Sequence, residues 1–351
     1  MHPDPNRGVR WLVRCACPIV VALGVLVLVL GGCGTTSREV VVYTSIDQVY
    51  SEPILDAFQK RTGIAVKAVY DVEAAKTVGL ANRLVSEKSR PVADVWWNGE
   101  ILETLRLKDE GVLAPLHTPS SAGIAPQFVD PEGYWVGATG RARVLIVNTD
   151  LVSPGEYPDS IYDVLDPIWP ADKVGIAYPM FGTASTQGAA LYAVLGEQKA
   201  RAFYQGLADR GVRVVDGNSV VRDMVASGQL LWGLTDTDDA CQAIKDGKPV
   251  TVVFPDQGDG ELGTLIVPGS VGLIEGAPHP EEAQALIDYL TSEEVEREMI
   301  AAGWSHLPVR PLAVKDDCFD VSGVRGMDVQ YARLFDWLER SRSGLAEIFV
   351  R

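Results

Sequence analysis

At 351 residues the chain is long enough for two domains, and its 47% hydrophobic content is ample for real cores. A formal net charge of −16 argues against a nucleic-acid partner, because reading phosphate requires a basic face. The 34 glycines and 21 prolines suit many short loops without the composition of a disordered chain.

The chain opens with Arg7, Arg10 and Arg14, then an apolar run over 18–30 that is too short to span a bilayer comfortably. Gly31 and Gly32 close the run just before Cys33. The pattern resembles a bacterial lipobox, which implies cleavage after residue 32, diacylglycerol on the Cys33 sulfur and a tether over 33–38. The expectation is an exported protein, anchored through Cys33 on the periplasmic or cell-surface side of a bacterial membrane. Cys15 and Cys17 leave with the leader, so Cys241 and Cys318 remain. A disulfide in an oxidising compartment and two free thiols both stay open, since no spacing argument selects between them. No CxxC-type zinc pattern exists.

Residues 39–43 (EVVVY) read as a strand, followed by a polar loop at 44–47. Apolar Ile54, Leu55 and Phe58 predict a helix over 51–62, stopped by Gly63. A strand at 64–70, a helix at 78–89, a strand at 93–97 and a helix at 100–110 follow. Extended segments at 134–137 and 141–148 interrupt the alternation. It resumes with a strand at 174–178, helices at 187–195 and 199–209, a strand at 212–215 and a helix at 219–227. Next come a strand at 230–234, a helix at 240–245 and a strand at 250–254. An extended segment covers 265–273, helices cover 280–290 and 293–301, and a helical pattern marks the tail at 324–348. The fold class is α/β, each unit a mixed, mostly parallel sheet flanked by helices. Polar loops fall at the carboxyl ends of strands, where open α/β sheets take ligands, so two such units imply a cleft between them.

The stretches VVVYTSIDQVYSEPILDAFQKRTGI, PVADVWWNGEILETLRLKDEGVLAPL, WVGATGRARVLIVNTD and HPEEAQALIDYLTSEEVEREMIAAGWSHLPVR together resemble the ABC-transporter solute-binding proteins of the ferric-iron type. The resemblance implies the two-lobed type II periplasmic-binding-protein fold, with ligand captured by hinge closure and a permease as partner. Lobe 1 would comprise 39–139 plus 266–315 and lobe 2 would comprise 146–262. The crossovers would fall near 140–148 and 263–273, with 316–351 a C-terminal helical segment and the whole a monomer. An enzyme is not expected. His2, His117, His279 and His306 lie in no metalloprotease or triad context, and no nucleophile elbow, Walker or dinucleotide fingerprint exists.

What the resemblance implies for the site departs from the family at one point. Its iron binders place a His or acidic residue after the first strand, where Asp47 falls, and a Glu after the ADV strand, where Glu100 is the better match. Their adjacent tyrosines correspond to Thr237 and Asp238. Carboxylates thus replace phenolates, and Asp47, Glu100, Asp236, Asp238 and Asp239 would offer hard anionic oxygen to a ferric or divalent ion. The plainer role for 235–239 is capping, with Thr235 or Asp236 capping a helix and Asp238 and Asp239 meeting its first amides. Two organic-solute readings stand beside the metal. Tyr43 and Trp97, with Trp96 and Trp232, would wall a cationic ligand such as a polyamine, although strand alternation buries one of the paired tryptophans. Gly182, Thr183 and Ser185 would hold an anion at a helix start, with Lys76 and Thr77 adding to the site. That anion would be either the metal's synergistic partner or a phosphorylated compound.

Overall fold

Strand β1 (Glu39–Thr44) lies between two parallel neighbours, β2 (Ala65–Tyr70) and β3 (Val95–Asn98). Helices α1 (Gln48–Thr62), α2 (Val78–Glu87) and α3 (Leu102–Asp109) connect or follow these strands. The computed structural model describes residues 38–71, 78–314 and 316–350. The expected leader, Cys33, Lys76 and Thr77 lie outside the described residues. Among those described, no helix is long and apolar enough to cross a membrane.

The full sheet order is β2-β1-β3-β10-β5-β8-β6-β7, with β4 (Leu113–Ala114) on β10 and β9 (Val250–Val253) on β5. Its pivot is β5 (Val136–Asn148). Residues in the first part of β5 pair antiparallel with β10 (Ile266–Ile274), placing Arg141 beside Val267. The later part pairs with β8 (Trp232–Asp236) and β9, placing Arg143 beside Asp236. Beyond β8 come β6 (Val174–Ala177) and β7 (Arg213–Val215), all three parallel. The two extended segments expected at 134–137 and 141–148 are therefore one strand serving both halves. Gly140 lies between them; a Cβ there would sit 2.6 Å from the Leu307 carbonyl oxygen, so the close backbone approach needs glycine.

Strand alternation then sorts the side chains. Val40, Val42 and Trp97 enter one core of the first half, while Tyr43 and Trp96 enter the core on the opposite face. In the second half Leu145 and Val147 face one core, and Ala142, Val144 and Ile146 face the other. Helices α4 (Gly182–Leu195), α5 (Glu197–Arg210), α6 (Asn218–Ala226) and α7 (Thr237–Lys245) cover this half, and α8 (Pro280–Leu290) and α9 (Glu293–Ala302) return to the first. The last helix, α10 (Phe335–Ile348), packs on α4 and α5 and reaches α3, where Arg342 lies 3.4 Å from Glu103.

Several helix starts differ from the sequence expectation: the tail helix begins at Phe335 rather than 324 and α1 at Gln48 rather than 51, and two more bear on the site. Helix α4 begins at Gly182 rather than 187, following an extended Phe181, with Gly182 at φ +51°. All of Thr183–Tyr192 is buried, so no amphipathic rhythm marks the start. Helix α7 begins at Thr237, directly after β8, so the acidic stretch is a strand end and a helix start with no loop between. Cys241 on α7 forms a disulfide with Cys318 in the tail, which resolves the pairing that the sequence left open.

Candidate functional site

The sequence of β8 and α7 dictates the centre of the site. Asp236 ends the strand, and Asp238 and Asp239 occupy the first helical turn, where amides and the helix dipole favour negative charge. One carboxylate oxygen from each lies within 4.8 Å of the others, the one such metal-capable cluster among the described residues.

Each of these carboxylates faces a guanidinium. Arg143 Nη1 donates to Asp236 Oδ1 at 2.7 Å, with both side chains 2% exposed. Asp236 Oδ2 also accepts from Thr183 Oγ1 at 2.6 Å and Asn218 Nδ2 at 3.0 Å. It stands at the N-cap position of α7 yet makes no capping bond, so capping is not what its side chain does. Arg141 Nη1 donates to Asp238 Oδ2 at 3.0 Å and lies 3.7 Å from Asp236 Oδ2. Arg222 Nη1 donates to Asp239 Oδ1 at 3.1 Å. Burial, followed by the charges of Asp238 and Asp236, pushes the Asp239 carboxyl up to about 8, against the pull of Arg222 and Arg141. Asp238 Oδ1 is buried and has no hydrogen-bond partner.

Two contacts cross from this cluster to the first half. Arg141 Nη2 donates to the Gly99 carbonyl at 2.9 Å, and its guanidinium lies 4.8 Å from the centroid of the Trp304 ring. Thr186 Oγ1 on α4 donates to Glu100 Oε2 at 3.3 Å. Glu100 itself accepts from the Leu102 and Glu103 amides at 2.6 and 3.0 Å, capping α3 from its own loop. Burial and then the Glu103 charge raise its carboxyl above the ordinary range, against the lowering effect of those amide bonds.

Several expected site residues lie elsewhere. Tyr43 is fully buried on the opposite face of β1, where its hydroxyl donates to Glu87 Oε2 at 2.9 Å and Arg83 stacks on its ring. Trp97 is 1% exposed in the lobe core, and Trp96 is buried as well, so neither walls a cleft. The alternation expected to leave one at the surface fails because both faces of β3 are covered. Trp232 is likewise core, edge-on to Trp169. Thr237 is fully buried, its Oγ1 accepting from the Ala142 amide at 3.1 Å, which ties α7 to β5. Asp47 is half-buried at the N-cap position of α1, without a capping bond.

The helix-start residues divide by angle around α4. Thr183, Thr186 and Gln187 share one face, meeting Asp236, Glu100 and Arg143 respectively. Ser185 falls on the opposite side, in line with Gly188 and Tyr192, which meet Leu345 and Gly344 of α10. Gly182 is exposed at the helix start. Sequence reasoning missed Arg141, Arg143, Arg222, Asn218 and Trp304. The first two carried a signal: arginines two apart in GRAR lie on the same side of a strand, next to the acidic strand end.

The profile of the family described as bacterial extracellular solute-binding protein matches residues 54–320. Iron uptake protein A2 of Synechocystis sp. is 28% identical over 295 residues, covering 78% of this chain and 79% of its own. The major ferric iron-binding protein of Neisseria meningitidis serogroup A is 25% identical, covering 79% and 82%. The crystal structure of iron-bound HitA from Pseudomonas aeruginosa superposes with a TM-score of 0.78 at 23% identity, covering 89% of this chain and all of that one.

Proposed function

Because the chain belongs to the bacterial extracellular solute-binding protein family, we propose that it is the solute-capturing component of an ABC importer, with a ferric ion and an accompanying anion as its cargo. The lobes would be 39–139 plus 266–315 and 146–262, hinged where β5 and β10 join them, with 316–351 as the C-terminal helical segment. Closure is driven by contacts that the loaded cleft makes better than the open one.

One observation carries the cargo: the unpartnered, buried Asp238 Oδ1, in a trio whose oxygens lie within 4.8 Å of one another. Hard cations favour anionic oxygen at such spacing. Iron is supported further by the names of the Synechocystis and Neisseria relatives. Asp238 and Asp239 are the available donors, whereas Arg143, Thr183 and Asn218 hold Asp236. Glu100 caps α3 and meets Thr186, which suits a cross-lobe contact better than metal ligation. Three guanidiniums already face the trio, so a trivalent ion needs an anion to come with it. The buried Arg141 and Arg143 also favour a second reading, a phosphorylated organic solute.

The test is metal analysis of protein purified without chelator, then thermal shift with ferric citrate and with sugar phosphates. A ferric-dependent rise in Tm that Asp238→Asn plus Asp239→Asn abolishes is the expected result. No shift with any metal, with sugar phosphate stabilising the protein and Thr183→Val removing that effect, transfers the cleft to the second reading. Export, acylation at Cys33 and a monomeric state complete the proposal.

A further inference from the structure

Arg141 is seated in a way that its neighbours alone do not require. It projects from β5, the strand shared by both halves, and its guanidinium meets three chemically distinct partners: the Asp238 carboxylate, the Gly99 carbonyl and the face of Trp304. Carboxylate, carbonyl and aromatic face together make a cation-recognition pocket, whichever cation lies in it. Trp304 is 3% exposed and the Arg141 side chain 13% exposed, so water screens these contacts weakly. The guanidinium is also 3.7 Å from Asp236, so it abuts two members of the trio at once. Its own Nε is buried without a hydrogen-bond partner, so the fork is held by its tip alone.

We infer that Arg141 is a specificity-determining residue of the cleft, an internal cation seated beside the acidic trio that cationic cargo must displace. The cargo half of this inference rests on the metal reading above; the seat itself does not. Displacing the guanidinium breaks its bond to Gly99, one of the contacts joining the lobes, so incoming cargo must replace that bridge. A weakly held monovalent cation cannot do so, whereas a multivalent ion that binds Asp238 and Asp239 and also takes the Gly99 carbonyl can. Arg141 in this way sets a threshold for admission, and it ties admission to lobe geometry.

The experiment compares wild type with Arg141→Ala and Arg141→Gln, each checked for native far-ultraviolet circular dichroism. Methylguanidinium chloride is the first probe, because it is the side-chain tip without its tether. It should raise the Tm of Arg141→Ala by filling the vacated seat and leave wild type unmoved; the gain in ferric affinity measured next is what a merely structural arginine would not show. Ferric citrate is the second probe, and its affinity should increase about tenfold in Arg141→Ala and Arg141→Gln once the competing cation is gone. If methylguanidinium fails to stabilise Arg141→Ala and neither variant binds ferric citrate more tightly, the inference is overturned. If methylguanidinium stabilises Arg141→Ala while no form binds ferric citrate, the seat stands and the iron reading falls. Should Arg141→Ala not fold, a lower ferric affinity in folded Arg141→Gln overturns the inference.

Discussion

Gly99 and Trp304 meet in a contact that leaves no room for a side chain: a Cβ on Gly99 would lie 2.9 Å from Trp304 Cζ2. The glycine thus lets the indole approach the β3 loop, and the same residue offers its carbonyl to Arg141. Gly99→Ala must push the ring away from the guanidinium that it covers. We expect a loss of about 1–3 kcal/mol in stability from the forced shift, together with weaker solute binding. Urea denaturation and a solute titration on the same preparation measure the two effects. Unchanged solute affinity would remove the ring from the site.

Asp236 and Asp238 should respond oppositely to the same substitution. Asp236→Asn breaks a buried ion pair and leaves Arg143 charged and short of a partner, a loss of about 3–5 kcal/mol in stability. Asp238→Asn breaks a less deeply buried pair and also relieves repulsion against Asp239, so its stability effect should be smaller than that of Asp236→Asn. Solute binding is what Asp238→Asn should impair. Denaturation midpoints of the two variants, read side by side, check the contrast.

The Asp239 carboxyl, raised to about 8, gives binding and stability opposite pH trends. The folded protein retains a proton that the unfolded chain releases near the ordinary carboxylate range. This group therefore reduces folding stability progressively as pH rises from about 4 to about 8, and no further above that. A cation ligated by Asp239 must expel that proton, so cation affinity should climb over the same window. Calorimetric titration in buffers of different ionisation enthalpy should detect proton release at neutral pH. No buffer dependence would mean that Asp239 is not a ligand.

Cys241 and Cys318 lie 77 residues apart in sequence, and their disulfide fastens the helix bearing Asp238 and Asp239 to the tail. Beside it, Asp316 holds His306, Cys318 and Phe319 together: His306 Nδ1 lies 2.5 Å from Asp316 Oδ2, and Oδ1 accepts from the two amides. Cys318→Ser should lower stability by about 2–5 kcal/mol and loosen the first turn of α7. Hydrogen exchange at the Asp238 and Asp239 amides reports that loosening directly. Protection equal to wild type would confine the disulfide's role to the tail.

Cys33→Ser tests the proposed anchor. Wild-type protein should enter the detergent phase of a cloud-point extraction, and the variant should remain aqueous or unprocessed. Aqueous wild-type protein would count against acylation.

The sequence revealed element types and order well, because alternating strand and helix rhythms are local. Helix α8 was read to the residue, since Pro280 and the apolar set Ala283, Leu286, Ile287 and Leu290 leave little choice. The start of α4 was hidden because its first ten residues after Gly182 are buried all round. The acidic trio was visible as composition, but its state was not. Whether Asp236 is a ligand or an ion-pair partner depends on Arg143, which lies 93 residues away and joins it only through β-pairing. Tyr43 misled for a related reason: a strand-end aromatic looks the same in sequence whichever face receives it, and only the packing of α2 decides.

The Cys241–Cys318 disulfide also bears on how the protein matures. Of five cysteines, two lie in the expected leader and one is the expected acylation site. If acylation precedes oxidation, Cys241 meets one other thiol in the whole molecule, and oxidative folding has a single intramolecular product. A free Cys33 would add two competing pairings, one drawing the tether onto the helix that presents Asp238 and Asp239 and the other drawing it onto the tail. The lipid would then act as a protecting group as well as an anchor, ensuring that the helix is clipped to the tail and to nothing else.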